Sequence, residues 1–77
     1  MKQKHAEIYK KLRFNITYER KMKGFSQLQL AEKAGISRTH MSNIEAPNGE
    51  ASWSLDVLFD IAEALNVPPA KLFDFRD

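Results

Sequence analysis

The sequence contains no cysteine, which excludes disulfide bonds and thiolate metal sites and is typical of proteins from a reducing cytoplasm. No apolar run approaches the roughly 18–20 residues that a membrane-spanning helix requires. The N-terminal stretch MKQKHAEIYKKL lacks the apolar segment of a secretory signal. We therefore expect a cytoplasmic protein that does not associate with a membrane.

Residues that carry catalysis are also scarce. The two histidines, His5 and His40, are far apart and lack the spacing of metal ligands. The chain has no G-x-x-x-x-G-K-[ST] phosphate loop and no G-x-S-x-G nucleophile elbow. A chain of 77 residues forms one small domain with little volume for a substrate pocket. The sequence predicts neither an enzyme nor a metal, cofactor or small-molecule substrate.

Charge is distributed unevenly along the chain. Residues 1–43 contain ten Lys or Arg against three Glu, a net charge of +7. Residues 44–77 contain two Lys or Arg against seven acidic residues, a net charge of −5. The basic half could follow the phosphates of a nucleic acid while the acidic half faces away. Charge alone favours the plainer interpretation, a solvated surface that is rich in lysine.

Helix signals recur along the chain, and the alternation typical of strands is almost absent. The first predicted helix, residues 6–23, carries two apolar stripes side by side. The first stripe is Ile8, Leu12 and Ile16, and the second is Phe14, Tyr18 and Met22. Together they predict a wide apolar face on this helix, which Gly24 ends.

Four further helices are predicted, and a serine occupies the N-cap position of the first three. These caps are Ser26, Ser37 and Ser54. Gln29 completes the S-x-x-Q pattern of a capping box at the second helix, which stops at Gly35. The third helix covers about residues 38–45, and the loop after it continues to residue 52. Pro69 suits the first position of a short fifth helix.

Residues 27–44, QLQLAEKAGISRTHMSNI, have the spacing of two short helices joined by a tight turn. Helices joined in this way cross steeply, so the residue at their closest approach must be small, as Ala31 is. Gly35 supplies the left-handed backbone that ends the first helix of the pair. The apolar side chains expected to point into the shared core are Leu30, Ala34, Ile36, Met41 and Ile44.

The polar face of the third helix follows from a rotation of about 100° per residue. If Met41 and Ile44 face the core, the residues on the opposite face are Arg38, Thr39, Ser42 and Asn43. They can all hydrogen-bond and none is acidic. Such a set could read base edges, with arginine at guanine, asparagine at adenine and threonine through its hydroxyl or methyl group. Alternatively, they are simply the polar side of an exposed helix, and these residues alone do not decide between the two.

The stretch GFSQLQLAEKAGISRTHMSNIE resembles the helix-turn-helix of the phage repressor and Cro (Xre-type) DNA-binding family. The resemblance covers about residues 12–73 and includes SLDVLFDIAEALNVPPAKLF, which is similar to the family's fourth and fifth helices. It implies an all-α fold: a compact five-helix bundle of the lambda-repressor-like type, in which helices 2 and 3 form the helix-turn-helix. Residues 12–75 would form this domain, and residues 1–11 a basic N-terminal extension that continues into helix 1.

The resemblance also implies a function: a small transcriptional regulator, most often a repressor, that binds double-stranded DNA as a homodimer on a palindromic operator. The third helix would lie in the major groove, with Arg38, Thr39, Ser42 and Asn43 facing bases or flanking phosphates. The residues expected to contact phosphates are Gln27, Ser37, His40, Asn48 and Gly49. Arg20 and Glu45 match a pair that forms an internal salt bridge in this family, so we assign both a structural role.

Three features depart from the family pattern. The loop over residues 46–54 contains no Lys or Arg, so phosphate contacts there would depend on backbone N–H groups near Asn48 and Gly49. Trp53 replaces the usual proline before the fourth helix, and we interpret it as a core or hydrophobic-staple residue with Leu58. The basic extension, residues 1–11, is interpreted as a solvated end, with an arm that contacts phosphates as the alternative.

A protein-interaction module, or an antitoxin-like partner of another protein, is the alternative function. Some helix-turn-helix domains bind only proteins, and the loop after the third helix is poor in cations. Two surfaces are candidates for homodimerisation. One is the fifth helix with Leu72, Phe73 and Phe75, and the other is the second stripe of the first helix.

Overall fold

A computed structural model describes residues 4–47 and 53–75 of the chain. These residues form five α-helices and no strand. The helices are α1 (Ala6–Met22), α2 (Gln27–Ala34), α3 (Arg38–Glu45), α4 (Leu55–Leu65) and α5 (Pro69–Leu72). Among them, none is long and apolar enough to cross a membrane. The predicted all-α, five-helix architecture is confirmed.

Local signals in the sequence set the starts of α2, α3 and α4. Ser26 Oγ accepts from the Gln29 backbone N–H at 3.0 Å, and the Gln29 side-chain oxygen accepts from the Ser26 backbone N–H at 2.8 Å. This pair completes the predicted capping box. Ser37 and Ser54 each accept one backbone N–H from the third residue of their helix. Each cap satisfies a donor that has no acceptor within its own helix.

Three helices end at a residue in the left-handed conformation: Gly35 with φ 73°, Asn66 with φ 58° and, as predicted for α1, Gly24 with φ 76°. At the first end, Gly35 donates to the Glu32 carbonyl at 3.3 Å and Ile36 donates to the Ala31 carbonyl at 3.0 Å. The same pattern recurs at Asn66 and at Gly24, so all three ends are Schellman motifs. These reversals allow α2 to lead directly into α3, and α4 into α5.

One apolar core lies where the helices meet. Its large, fully buried side chains come from every helix: Ile16, Leu30, Met41, Ile44, Ile61, Leu65 and Leu72. Ala31 is also buried, on the helix that packs against both α3 and α4. A small side chain there allows α2 to approach its neighbours closely, as the sequence predicted.

Only part of the wide apolar face predicted for α1 packs into the core. Leu12 and Ile16 are buried, but Ile8 is 46% exposed. The second stripe is more exposed still: Phe14 at 69%, Tyr18 at 51% and Met22 at 66%. The reason is that α1 packs on α3, α4 and α5 through one narrow face, the face that carries its buried residues.

Trp53 precedes α4 and packs against the core cluster that includes Leu58. Its ring meets that of Tyr9 edge-on, with centroids 5.3 Å apart and an interplanar angle of 79°. The interpretation of Trp53 as a core aromatic residue is confirmed. Its Nε1–H is buried and finds no acceptor among the residues that the structure describes.

Candidate nucleic-acid interface

The outer face of α3 carries the predicted base-reading residues. Met41 and Ile44 are buried on the core side of α3. Because successive residues of an α-helix are rotated by about 100°, the two buried residues also define which residues lie on the opposite side. The residues on that side, all exposed, are Arg38, Thr39, Ser42 and Asn43. Within the described ranges, none of these side chains is held by a hydrogen bond or ion pair to another residue. Their donors and acceptors are therefore available to a ligand.

The N-terminus of α3 adds polar groups beside this face. Ser37 Oγ accepts from the His40 backbone N–H at 3.0 Å, so the hydrogen of the Ser37 hydroxyl remains available to donate. The Ser37 side chain is exposed and His40 is partly buried. A helix N-terminus favours anions because its first N–H groups lack helical acceptors. Both residues thus lie where a phosphate next to α3 is expected.

Glu45 joins the end of α3 to α1 and to the start of α2. Arg20 donates from Nε to Glu45 Oε2 at 2.8 Å and from Nη2 to Glu45 Oε1 at 3.0 Å. Gln27 Nε2 donates to the same Oε1 at 3.2 Å. The predicted internal salt bridge is confirmed, and both charged side chains are largely buried. The sequence did not predict that Gln27 belongs to this network.

The network leaves Gln27 able to contact a phosphate. A side-chain amide nitrogen carries two hydrogens, and Glu45 accepts only one of them. The backbone N–H of Gln27 also lies at the first position of α2, where it has no helical acceptor. Glu45 thus fixes the orientation of the amide without using up its donors. The other two predicted phosphate contacts, Asn48 and Gly49, lie outside the described residues.

A second link between α1 and α3 was not predicted from the sequence. Arg13, only 7% exposed, donates from Nε to the Ile44 carbonyl at 3.1 Å. That carbonyl lies in the last turn of α3, where carbonyls lack helical partners and a cation is stabilising. The only sequence signal is an arginine placed between two core positions of α1, Leu12 and Ile16.

Arg13 and Arg20 therefore belong to the scaffold and not to the cationic surface. Arg20 donates in addition from Nη1 to the Phe25 carbonyl at 2.8 Å, which fixes the chain between α1 and α2. Lys33 lies over the Phe25 ring, 5.0 Å from its centroid. Two of the ten Lys and Arg side chains in residues 1–43 are thus bonded inside the protein. The surface of this basic half is therefore less positive than its net charge of +7 indicates.

The fold and this face define a helix-turn-helix bundle of the phage-repressor (Xre/Cro) type. A family model described as helix-turn-helix matches residues 16–72. The chain therefore belongs to the helix-turn-helix family, and the resemblance inferred from the sequence is confirmed.

Two relatives support the same assignment. The chain is 36% identical over 58 residues to the HTH-type transcriptional regulator SinR of Bacillus licheniformis, an alignment that covers 75% of this chain and 51% of SinR. It thus spans about half the length of this curated relative. In three dimensions it is similar to the crystal structure of the restriction-modification controller protein C.AhdI from Aeromonas hydrophila, with a TM-score of 0.77 and 31% identity. That match covers 84% of this chain and 96% of C.AhdI.

Proposed function

We propose that this chain is a transcriptional regulator that binds specific sequences of double-stranded DNA with α3 in the major groove. The observation that carries this proposal is the outer face of α3. Its side chains are exposed, none is acidic, and none is bonded to another residue that the structure describes. The major groove of B-form DNA admits an α-helix, and it presents a distinct pattern of donors and acceptors for each base pair. The two relatives named above are a transcriptional regulator and a controller protein rather than enzymes.

In this proposal the two sets of polar residues have separate roles. The base-reading set is Arg38, Thr39, Ser42 and Asn43. Arg38 suits guanine N7 and O6, and Asn43 suits adenine N6 and N7. The phosphate set is Gln27, Ser37, His40, Asn48 and Gly49. The first three lie near the N-termini of α2 and α3, where backbone N–H groups add to the attraction of an anion.

The anchoring of α3 supports the same function. Base reading requires side chains that are held within about 0.5 Å of their productive positions. At its C-terminal end, α3 is tied to α1 through the Ile44 carbonyl and the Glu45 carboxylate. The rest of the helix is held on the core by the buried side chains of Met41 and Ile44. A helix tied and packed in this way keeps its outer face in a constant orientation.

We further propose that the protein acts in the cytoplasm as a homodimer on a palindromic operator. Two copies would place their α3 helices in successive major grooves, about 34–36 Å apart. Occupancy of such a site would repress transcription by blocking polymerase.

Selection of bound duplexes from a random pool at low salt tests this proposal. We expect a short enriched motif, repeated as an inverted pair about 10 base pairs apart. Affinity for that motif should fall steeply between about 50 and 200 mM salt, because the release of cations from the DNA, which favours binding, becomes less favourable as the salt concentration rises. The matched control is the double variant Arg38→Ala/Asn43→Ala, which should enrich no motif. Failure of the wild-type chain to retain any duplex at low salt would favour the protein-interaction alternative.

A further inference from the structure

An apolar surface runs along the side of α1 that faces away from the core. Phe14 and Met22 are the two most exposed large apolar side chains in the described part of the chain, at 69% and 66%. Tyr18, 51% exposed, lies between them at four-residue spacing. Phe75 is partly buried and lines an open groove together with Phe14 and Tyr18. We call these four residues the α1 strip.

The core and the proposed DNA interface leave the α1 strip unused. α1 contacts α3 through Arg13 and Arg20. At about 100° per residue, Phe14 and Tyr18 point roughly 100–160° away from those two arginines. A partner on the strip therefore leaves the outer face of α3 uncovered. Several large apolar side chains exposed in one line mark an interaction surface on a monomer.

We propose that the α1 strip is the contact surface between two copies of this chain, with their α1 helices packed antiparallel. This inference rests on the homodimer of the proposed function and specifies its interface. The rim of the groove carries three basic and three acidic side chains: Lys10, Lys11, Lys71, Glu7, Glu19 and Asp74. A two-fold interface requires a surface that is complementary to itself, and a rim with equal numbers of both signs meets this requirement. A nucleic acid would instead select a basic surface.

The order of charges along α1 selects the antiparallel arrangement. Glu7 lies about two turns before Phe14, and Lys21 lies about two turns after it on the same face. An antiparallel pair centred on Phe14 brings Glu7 of each copy opposite the partner's Lys21. A parallel pair would place like charges opposite each other at both ends. The antiparallel register also brings the Phe14 rings of the two copies together at the two-fold axis, where aromatic rings attract each other beyond the area they bury.

Self-association without DNA tests the surface, measured by sedimentation equilibrium. We expect the wild-type chain to dimerise and the double variant Phe14→Gln/Tyr18→Gln to dimerise about 30-fold more weakly, the loss typical of truncated central aromatic residues. Both side chains are mostly exposed, so the variant should melt at close to the wild-type temperature. The matched control is Phe59→Gln, an exposed aromatic residue on α4, which should leave the dimer unchanged.

A charge exchange tests the register. Glu7→Lys and Lys21→Glu should each weaken the dimer, and the two together should restore it. Because the chain has no cysteine, Phe14→Cys gives each copy a single thiol near the proposed axis. Mild oxidation should link this variant into dimers, whereas the same treatment of Phe59→Cys should not.

Two results would overturn the proposal: a wild-type chain that stays monomeric at every concentration, or a dimer that is insensitive to Phe14→Gln/Tyr18→Gln. Neither result bears on base reading, because binding of a single half-site through Arg38 does not require a second copy. The failure of the dimer surface is thereby distinguishable from the failure of the DNA-binding function.

Discussion

Arg13 on α1 donates to the carbonyl of Ile44 on α3 at 3.1 Å, across 31 residues of sequence. The next residue along α3, Glu45, is bound by Arg20 from the same helix. Two arginines of α1 thus hold successive residues at the end of the helix that carries the candidate interface. The direction in which the outer face of α3 points depends on α1, which carries none of the predicted DNA-contacting residues.

Replacement of Arg13 by methionine should therefore destabilise the fold. Methionine has a similar length and no donor, so the Ile44 carbonyl loses a partner inside the protein. We expect a loss of about 1–3 kcal/mol in the free energy of unfolding, measured by urea denaturation with an unchanged m-value. Lys10→Met, an exposed position on the same helix, should change stability by less than about 0.5 kcal/mol. Equal stability of the two variants would contradict a structural role for Arg13.

Gly35 should tolerate asparagine better than alanine. A Cβ at this position would meet no heavy atom within 4 Å, so the effect of substitution comes from the backbone conformation, φ 73°. Alanine should cost about 1–2 kcal/mol there, whereas asparagine should cost less because Asn66 already adopts φ 58° in this chain. Thermal unfolding of the two variants measures the difference. An alanine variant as stable as the wild-type chain would rule out the backbone explanation.

Much of the fold could be predicted because its signals are local. The serine caps and Gly35 each act within a few residues, and the structure has them where the sequence placed them. The outer face of α3 also follows from local geometry once Met41 and Ile44 are assigned to the core. The Arg20–Glu45 pair is not local, and its prediction depended on the family resemblance.

The features that the sequence did not predict depend on distant parts of the chain. Two apolar stripes on α1 are equivalent in sequence, and only the positions of the other helices decide that Phe14 stays exposed. Arg13 contributes to a basic segment, while its acceptor lies on another helix. The bond from Gln27 to Glu45 likewise requires α2 and α3 to be placed relative to each other. None of these features produces a periodic pattern.

Gln27→Ala should weaken binding to all duplexes to a similar extent. The substitution removes a phosphate donor in the proposed complex, and phosphates are the same for every sequence. Gln27→Glu should weaken binding further, because it places a second carboxylate beside Glu45 and close to the DNA backbone. Titration of the selected motif and of an unrelated duplex at one salt concentration measures both effects. A loss confined to the selected motif would instead assign Gln27 to base reading.

Arg38→Ala should change which sequence is bound. Arginine bonded to a guanine contributes about 1–3 kcal/mol of discrimination at one base position, so the variant should lose its preference at that position of each half-site and keep it elsewhere. Lys33→Ala is the matched control. It also removes one positive charge, but from a side chain on α2 that lies over the Phe25 ring and not on the outer face of α3. That variant should shift affinity slightly for all sequences and leave the preferred motif intact. The comparison separates base reading from simple attraction to phosphates, since both variants lose one positive charge. If repeated selection with Arg38→Ala returns the wild-type motif, the outer face of α3 does not read the groove as proposed.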